Sequence, residues 1–380
     1  MKFDRRELAG AVADLGVFVP IAVALIVSNG LSATAVLLPA ALLYIAAALV
    51  YRLPVPVQPL KAFGAIAIAK GLGSDEIAAG ALLMGMIFLL AGRLGILDVL
   101  ARVFPRSLVR GVQLTVGLLF LKIAWGLVTD PPKSFADHAL SIGWALPLGM
   151  LVLLLALTLR RYAISIVLVG AGVVTALALA GGQLDLGPSP LTLPSLSGGV
   201  LLTALTVLVL PQAPLSFANS CLATSDAARV YFGDKGARVR PGRLATTFGT
   251  ANLLAGAISG MPVCHGAGGM TAHYKFGARS GGAPLVMGGS LVVLALAFGA
   301  GLADVLPAFP LPVLAGLLAT AGLLHIALLR DLRGARDWGL AILVGGIGFE
   351  VNLLWALAVG LAAWWIPYGV GRLHARLAPA

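Results

Sequence analysis

Two short stretches broken by proline and glycine interrupt an otherwise apolar chain. The first reads VPVQPLKAFGAIAI over Val55–Ile68, and the second reads MPVCHGAGGMTAHYKFGARSG over Met261–Gly281. Inside a membrane, irregular backbone with unpaired amides is tolerated only where it is buried in protein or lines a cavity. A pair of broken segments, one in each half of a chain, indicates the binding site of a transporter. The two stretches therefore predict a buried site for a small solute.

The first broken stretch and the first apolar segment carry three polar side chains. Lys61 either extends its ammonium group to the membrane interface or compensates the charge of a bound anion. Gln58 either caps the helix that follows it or contacts the ligand. Asp14, within AVADLGVFVP, is an acid inside an apolar segment. Such acids are functional hypotheses by default, and here we expect a proton carrier or a partner of Lys61.

The second broken stretch offers an imidazole followed by small residues. His265 either hydrogen-bonds a loop, donates to an anion, or carries a proton. The backbone of Gly266, Ala267 and Gly268 is expected to approach the ligand closely, because these residues have little or no side chain. Cys264 beside His265 is a weak signal for a metal or thiol site, since no second Cys, paired acid or His-x-x-x-His pattern accompanies it. We therefore predict no metal, no cofactor and no enzyme.

A third polar segment lies in the second half and reads LPQAPLSFANS over 210–220. Its two prolines free backbone carbonyls, because proline lacks the N–H that would bond them. Gln212 and Asn219 are predicted to contact the ligand. Ser216 and Ser220 are interpreted as small polar residues that hold neighbouring membrane helices together.

Composition identifies the chain as a membrane protein. Of its 380 residues 59% are apolar and 11% are charged, which is less than half the usual charge of about 25% in a soluble domain. The net charge of +11 does not indicate a nucleic-acid partner, because the basic residues fall in short loops between apolar segments. The two cysteines lie far apart and indicate no disulfide framework.

Apolar runs long enough to cross a ~30 Å hydrocarbon layer recur along the chain. They divide into about fourteen segments, near 8–28, 32–51, 59–70, 76–92, 107–128, 139–158, 162–181, 199–227, 243–258, 266–277, 283–303, 311–328, 336–349 and 351–371. Arginines concentrate in alternate loops, which the positive-inside rule assigns to the cytoplasm: Tyr51–Leu53, Gly92–Arg106, Arg160–Tyr162, Ala228–Gly242, Phe276–Gly281 and Leu329–Asp337. We predict an all-α polytopic protein of a lipid bilayer, placed in a bacterial inner membrane, with both termini cytoplasmic.

Two sets of seven segments predict an inverted repeat, because an odd-numbered unit places its second copy upside down in the membrane. The broken segments then occupy positions three and ten, and they enter from opposite sides. We expect the first to become helical near Pro59, with Lys61 one turn inside, and the second near Gly268. Two half-helix N-termini would face each other near the midplane, and their amide donors and dipoles suit an anion.

The chain resembles the molybdate transporter family, which is related to the sulfate permeases. The resemblance is carried by PVQPLKA at Pro56–Ala62, by the Met261–Gly281 stretch, by ADLGVFVP near the start and by LPQAPLSFANS. It covers both halves and essentially the whole chain. It implies the seven-plus-seven fold of the uracil and sulfate permease superfamily and an elevator-like movement of a core against a gate. Related folds often form homodimers, which makes a homodimer the candidate assembly.

The same resemblance assigns parts of the chain to core and gate: core 1–106 and 199–303, and gate 107–198 and 304–380. It carries over as binding positions Gln58, Lys61, Gln212, Asn219, His265 and the glycine-rich backbone that follows. Sulfate permeases generally carry a cytoplasmic regulatory domain after their last span. Only a short tail follows Gly371, so we expect no such domain, which favours the molybdate branch.

The predicted function is secondary transport of molybdate, with Lys61 compensating part of its charge and with proton coupling through Asp14 or His265. An inside-negative potential opposes import of a dianion by about 4.6 kcal/mol per 100 mV, so import needs a coupled cation or trapping. Sulfate or another oxyanion as substrate, an anion channel, and a nucleobase carrier remain open alternatives. Nucleobase carriers commonly have a carboxylate in the core, where Gln212 and Asn219 stand here.

Overall fold

The protein is helical throughout most of its length. Its computed structural model describes residues 1–159, 164–180 and 185–377, apart from the side chains of residue 14 and residues 367–377. The first half contains α1 (Arg5–Ala11), α2 (Leu15–Val27), α3 (Ala33–Tyr51), β1 (Gln58–Pro59), α4 (Lys61–Lys70), α5 (Ser74–Arg93), α6 (Ile96–Ala101), α7 (Arg106–Thr129), α8 (Ile142–Leu159) and α9 (Ile164–Ala180). The second half contains α10 (Gly198–Thr203), α11 (Leu210–Leu215), α12 (Thr224–Phe232), α13 (Pro241–Ala257), β2 (Val263–Cys264), α14 (Ala267–Phe276), α15 (Gly282–Ala297), α16 (Leu302–Val305), α17 (Leu311–Ile326), α18 (Ala335–Glu350) and α19 (Leu353–Leu377).

The helices follow the predicted segments within a few residues at most boundaries. Within the described residues, six helices are long and apolar enough to cross a membrane, and eight are if two bent pairs are each counted as one span. The count of fourteen crossings and the inverted repeat therefore remain predictions. The predicted segment 283–303 is wrong at its end, because α15 stops at Ala297 and the chain turns by 113° into Leu302–Ala308.

Both broken segments form the predicted short helices, each ten residues long. The prediction of an all-α protein misses the strands that precede them: β1 and β2 pair antiparallel, with Gln58 opposite Cys264 and Pro59 opposite Val263. Pro59 was expected in the first turn of α4, but it lies in the strand and α4 begins at Lys61. Strand pairing gives partners to backbone groups that a lone extended segment would bury unpaired.

Neighbouring helices complete the hydrogen bonding of this strand pair. Asn252 of α13 accepts the N–H of Val263 through Oδ1 at 2.7 Å, and the hydroxyl of Tyr44 of α3 donates to the carbonyl of Val57 at 3.0 Å. Asn252 and Tyr44 are almost completely buried. The irregular backbone is therefore satisfied inside protein, as the membrane environment requires.

Helix packing arranges the two halves around the strand pair. In one group α5 packs on α13 and α3 packs on α15, and in the other α7 packs on α17 and α18. The contact of α5 with α13 is close enough that a Cβ at Gly249 would lie 2.6 Å from the backbone nitrogen of Leu89. Small residues of this kind let membrane helices approach closely, where dispersion contacts hold them together.

The bond from Val263 to Asn252 predicts the effect of Asn252→Ala. This substitution leaves a buried N–H without an acceptor, so we expect the free energy of unfolding to fall by about 1–3 kcal/mol. The measurement is thermal unfolding of the purified protein in detergent. Thr250→Ala on the same helix is the matched control, because its hydroxyl makes only an exposed bond to the carbonyl of Thr246. Equal unfolding temperatures for both variants would contradict the supporting role of Asn252.

Candidate anion-binding site

The strand pair brings the N-termini of two helices together. β1 leads into α4 and β2 leads into α14, and the antiparallel pairing sends the two chains in opposite directions. Neither helix has a side-chain cap on its N-cap residue. Each N-terminus therefore presents first-turn N–H groups and about half a positive charge to the space around the strands.

Lys61 and Gln58 form the polar centre of this region. The ammonium Nζ of Lys61 donates to Gln58 Oε1 at 2.6 Å and lies 5.6 Å from the centroid of the Phe120 ring. Gln58 is fully buried and Lys61 is 9% exposed. Lys61 is the first residue of α4. The prediction that it lies one turn inside the helix is therefore wrong. Its charge therefore sits at the helix N-terminus, where it adds to the dipole.

Gly266 faces Gln58 directly. A Cβ at residue 266 would lie 2.0 Å from Gln58 Oε1, and a Cβ at residue 268 would lie 2.5 Å from the ring of Phe120. Only hydrogen at these positions leaves room for the two neighbouring side chains. The predicted close approach of the Gly266–Gly268 backbone is thus to Gln58 and Phe120 within the protein.

Gln212 and Asn219 each cap one of the two helices. Gln212 Oε1 accepts the N–H of Phe63 in the first turn of α4 at 3.0 Å, and Asn219 Oδ1 accepts the N–H of Ala267 of α14 at 3.3 Å. Both side chains are 1% exposed. We expected these amides to contact the ligand as donors. In this structure their oxygens accept from the helix N-termini.

The helix that carries both amides is continuous from Gly198 to Phe232, but its winding changes. It is π-helical over Ala204–Val209 and Ser216–Ala223. Such π-helical turns are rare and frequently mark functional sites. Ser216 accepts a bond from Gln212 Nε2 at 2.9 Å, which orients the capping amide. The hydroxyl of Ser220 has no hydrogen-bond partner within the described residues.

His265 is bound to the fold through both ring nitrogens. Nδ1 lies 2.8 Å from the carbonyl of Pro56, and Nε2 lies 2.9 Å from the hydroxyl of Thr247. The hydroxyl of Thr247 is also 2.8 Å from that of Tyr51. Since a carbonyl only accepts, a neutral imidazole donates from Nδ1 to Pro56 and accepts from Thr247 at Nε2. These bonds favour the loop-bonding interpretation of His265.

Asp14 and Cys264 are two further residues singled out by the sequence. The side chain of Asp14 lies outside the described part of the structure, and its backbone belongs to a short 3-10 turn between α1 and α2. Cys264 is buried in β2 with Sγ 3.9 Å from the carbonyl of Pro59. Within the described residues, no group of three or more His, Cys, Asp or Glu side chains could hold a metal ion.

Sequence reasoning missed the residues that support the site. Phe120 packs under Lys61 and Gly268, Asn252 holds β2, and Thr247 and Tyr51 bind the imidazole. These are ordinary residues of membrane helices, and no spacing in the sequence sets them apart.

The arrangement suits an anion. One ammonium group and two helix N-termini supply donors and positive charge in buried surroundings, where electrostatic attraction is strong. A cavity of about 430 Å³ borders the start of α4 and is lined there by Ala62, with Thr115 of α7 and Pro211 of α11 on other walls. The cavity extends from the first turn of α4 to the second group of helices.

The contact between Gly266 and Gln58 predicts the effect of Gly266→Ala. The backbone of Gly266 is extended, with φ −148° and ψ 130°, so alanine is strained only by the contact of its Cβ with Gln58. We expect the overpacking to cost about 1–3 kcal/mol of unfolding free energy, measured by thermal unfolding in detergent. Gly289→Ala is the control, because a Cβ there meets nothing within 4 Å. Equal stability of the two variants would show that Gln58 moves freely.

Two solved structures that this chain resembles are described as a bicarbonate transporter and an anion transporter. The transmembrane domain of a cyanobacterial bicarbonate transporter, BicA, matches with a TM-score of 0.57 and 17% identity over 94% of this chain and 96% of that one. The murine anion transporter Slc26a9, solved in the inward-facing state, matches with a TM-score of 0.63 and 16% identity over 97% of this chain and 69% of that one. At these identities the likeness shows the fold alone.

Sequence comparison gives the family. The model described as "Molybdate transporter of MFS superfamily" matches residues 6–120 and 204–324. Molybdate transporter 1 of Arabidopsis thaliana is 28% identical over 94% of this chain and 86% of its own length. Molybdate transporter 2 of the same plant is 29% identical over 87% and 80%. The fold of this chain is the fold of BicA and Slc26a9, which are the solved structures described above. By its matched sequence the chain belongs to the molybdate transporter family, and it is a membrane transporter and not an enzyme.

Proposed function

We propose that this protein transports molybdate across a bacterial inner membrane as a secondary active transporter. The observation that carries the proposal is the pair of helix N-termini joined by β1 and β2, with Lys61 beside them. A tetrahedral dianion takes several hydrogen bonds and needs positive charge in return. The site offers both, and the family membership supports molybdate as the oxyanion.

The anion would be held by first-turn amides that the caps leave free. Gln212 and Asn219 occupy one N–H of each helix. The N–H groups of Ala62, Gly268 and Gly269 have no acceptor among the described residues. Lys61 would turn from Gln58 toward the anion, and the amide of Gln58 would follow as a donor. Preformed donors of this kind require little reorganisation on binding.

The mechanism we propose is an elevator movement of the core, residues 1–106 and 199–303, against the gate, residues 107–198 and 304–380. Packing supports this division, because α5 packs on α13 and α3 on α15 within one group, and α7 packs on α17 and α18 within the other. The proposal includes fourteen spans in two inverted sets of seven, cytoplasmic termini and a homodimer. The broken helices at positions three and ten would carry the anion with the core.

Proton coupling would compensate the charge of the imported dianion. We assign the coupling proton to Asp14 in preference to His265, because both nitrogens of His265 are already hydrogen-bonded to Pro56 and Thr247. A proton added to His265 would require Thr247 to reorient its hydroxyl. An acid inside an apolar segment of a transporter is a functional-site hypothesis by default, and proton relay is one of the roles such acids take.

Lys61→Gln tests the binding site. The neutral side chain removes the charge next to the anion, so we expect molybdate affinity to fall about 30-fold or more, at the lower end of the cost of losing one buried charge partner. The measurement is calorimetric titration of the purified protein. Lys122→Gln is the matched control, since Lys122 also lies over a phenylalanine ring but outside the site. Undiminished affinity in Lys61→Gln would remove the role of Lys61.

Competing sulfate in the same titration tests the choice of oxyanion. If sulfate displaces molybdate at equal concentration, the substrate is not molybdate specifically but tetrahedral oxyanions in general. Flux into proteoliposomes that rises linearly with molybdate concentration would indicate a channel.

Asp14→Asn tests the coupling. One co-transported proton allows about tenfold more accumulation for each unit of pH difference. We expect the intact protein in proteoliposomes to gain accumulation when the outside is more acidic, and Asp14→Asn to lose that gain while it still binds molybdate. His265→Gln should keep the response to pH and lose thermal stability. A full response in Asp14→Asn would show that the proton is carried elsewhere, or that none is carried.

A further inference from the structure

A buried arginine joins three helices outside the candidate site. Arg110 of α7 is completely buried and pairs with two carboxylates, those of Asp226 on α12 and Asp331 in the turn after α17. Its Nη1 donates to Asp226, its Nε lies 2.9 Å from Asp331 Oδ1, and its Nη2 lies 2.5 Å from Asp331 Oδ2. Gln113 accepts from Arg110 at 2.9 Å and donates to Asp226 at 3.1 Å.

The two ion pairs differ in what they connect. Asp226 belongs to the proposed core, and Arg110, Gln113 and Asp331 belong to the proposed gate. The pair with Asp331 therefore stays within one body, whereas the pair with Asp226 crosses the boundary between the two bodies.

We propose that the Arg110–Asp226 ion pair is a lock that holds the core against the gate in the state described here and breaks during transport. The proposal rests on the elevator movement of the proposed function. Arg110 is thus a positioning residue: Asp226 follows Asn219 by two helical turns on the same continuous helix, and Asn219 caps α14. Holding Asp226 holds the helix that presents the cap.

When the Arg110–Asp226 pair breaks, Arg110 keeps a carboxylate partner. An unpaired buried arginine is strongly unfavourable, but Asp331 contacts Arg110 through both of its oxygens and moves with it. Asp226 is 26% exposed and lines a cavity of about 690 Å³. The other walls of this cavity include three arginines that have no ion pair among the described residues: Arg102, Arg229 and Arg240. These cations can take up the released carboxylate.

Part of the surrounding interface is apolar. Ala218, Ala223 and Ala267 of the core pack against apolar residues of the gate such as Val109 and Val112. Alanine side chains do not interdigitate deeply, and apolar contacts are non-directional. Directional contacts between the two bodies near this surface are the ion pair, the bonds of Gln113, the pair of Arg106 with Asp331, and the contact of the Thr271 hydroxyl with His325 Nδ1 at 2.7 Å.

The test measures exposure of residue 223, which is completely buried beside Gln113. A cysteine introduced by Ala223→Cys is reacted with a bulky hydrophilic maleimide in the purified protein, and labelled sites are resolved by mass spectrometry. We expect slow labelling in the Ala223→Cys protein alone. Adding Asp226→Asn should speed it about fivefold or more, the lower end of the usual range for coupling between sites.

Two internal controls make the outcome decisive. Arg336→Gln removes a contact between the guanidinium of Arg336 and the ring of Trp364, both in the gate, and should leave labelling of residue 223 unchanged. Natural Cys264, buried at the strand pair, should stay unlabelled. Equal labelling rates with and without Asp226→Asn would overturn the lock, as would parallel labelling of Cys264, which indicates unfolding. Because no substrate is used, a protein that fails to bind molybdate would disprove the proposed function without affecting this result.

Discussion

The structure depends on one constraint: a backbone that leaves the helical state at membrane depth must find partners for its amides and carbonyls inside the protein. The backbone groups of β1 and β2 hydrogen-bond to each other. Asn252 accepts the N–H of Val263, and Tyr44 donates to the carbonyl of Val57. Gln212 and Asn219 serve one amide on each following helix. The first-turn N–H groups of Ala62, Gly268 and Gly269, which have no acceptor among the described residues, belong to the candidate site.

Among the described residues, Arg110 and Lys61 are buried cations in different surroundings. Arg110 is balanced by two carboxylates and by the oxygen of Gln113, so its charge serves the fold. Lys61 donates to the neutral amide of Gln58 at the positive end of a helix. That placement adds positive potential where helix dipoles already supply it, which is the condition an anion site needs.

Much of the fold was predictable because each membrane span is encoded by a run of consecutive apolar residues. Runs of apolar residues gave helices close to the observed ones, and glycine and proline gave both breaks. The residues Gln58, Gln212 and Asn219 could be selected because amides are rare in apolar segments. Their partners could not be found in this way: the oxygen of Gln212 meets an amide 149 residues away in the chain, and no local pattern encodes that pairing. His265 was selected as a ligand because an imidazole is also rare in apolar segments. In the structure both of its nitrogens are bonded within the fold.

The sequence by itself determined that the chain is apolar and helical, that it breaks twice in matching places, and that the polar residues at the breaks suit an anion. These features follow from hydropathy and from backbone chemistry, which act over a few residues. Only the tertiary structure decided that the breaks pair as strands, that Lys61 stands at a helix start, and that Arg110 bridges Asp226 and Asp331. Each of these depends on contacts between distant segments, and packing of the whole molecule sets which segments meet.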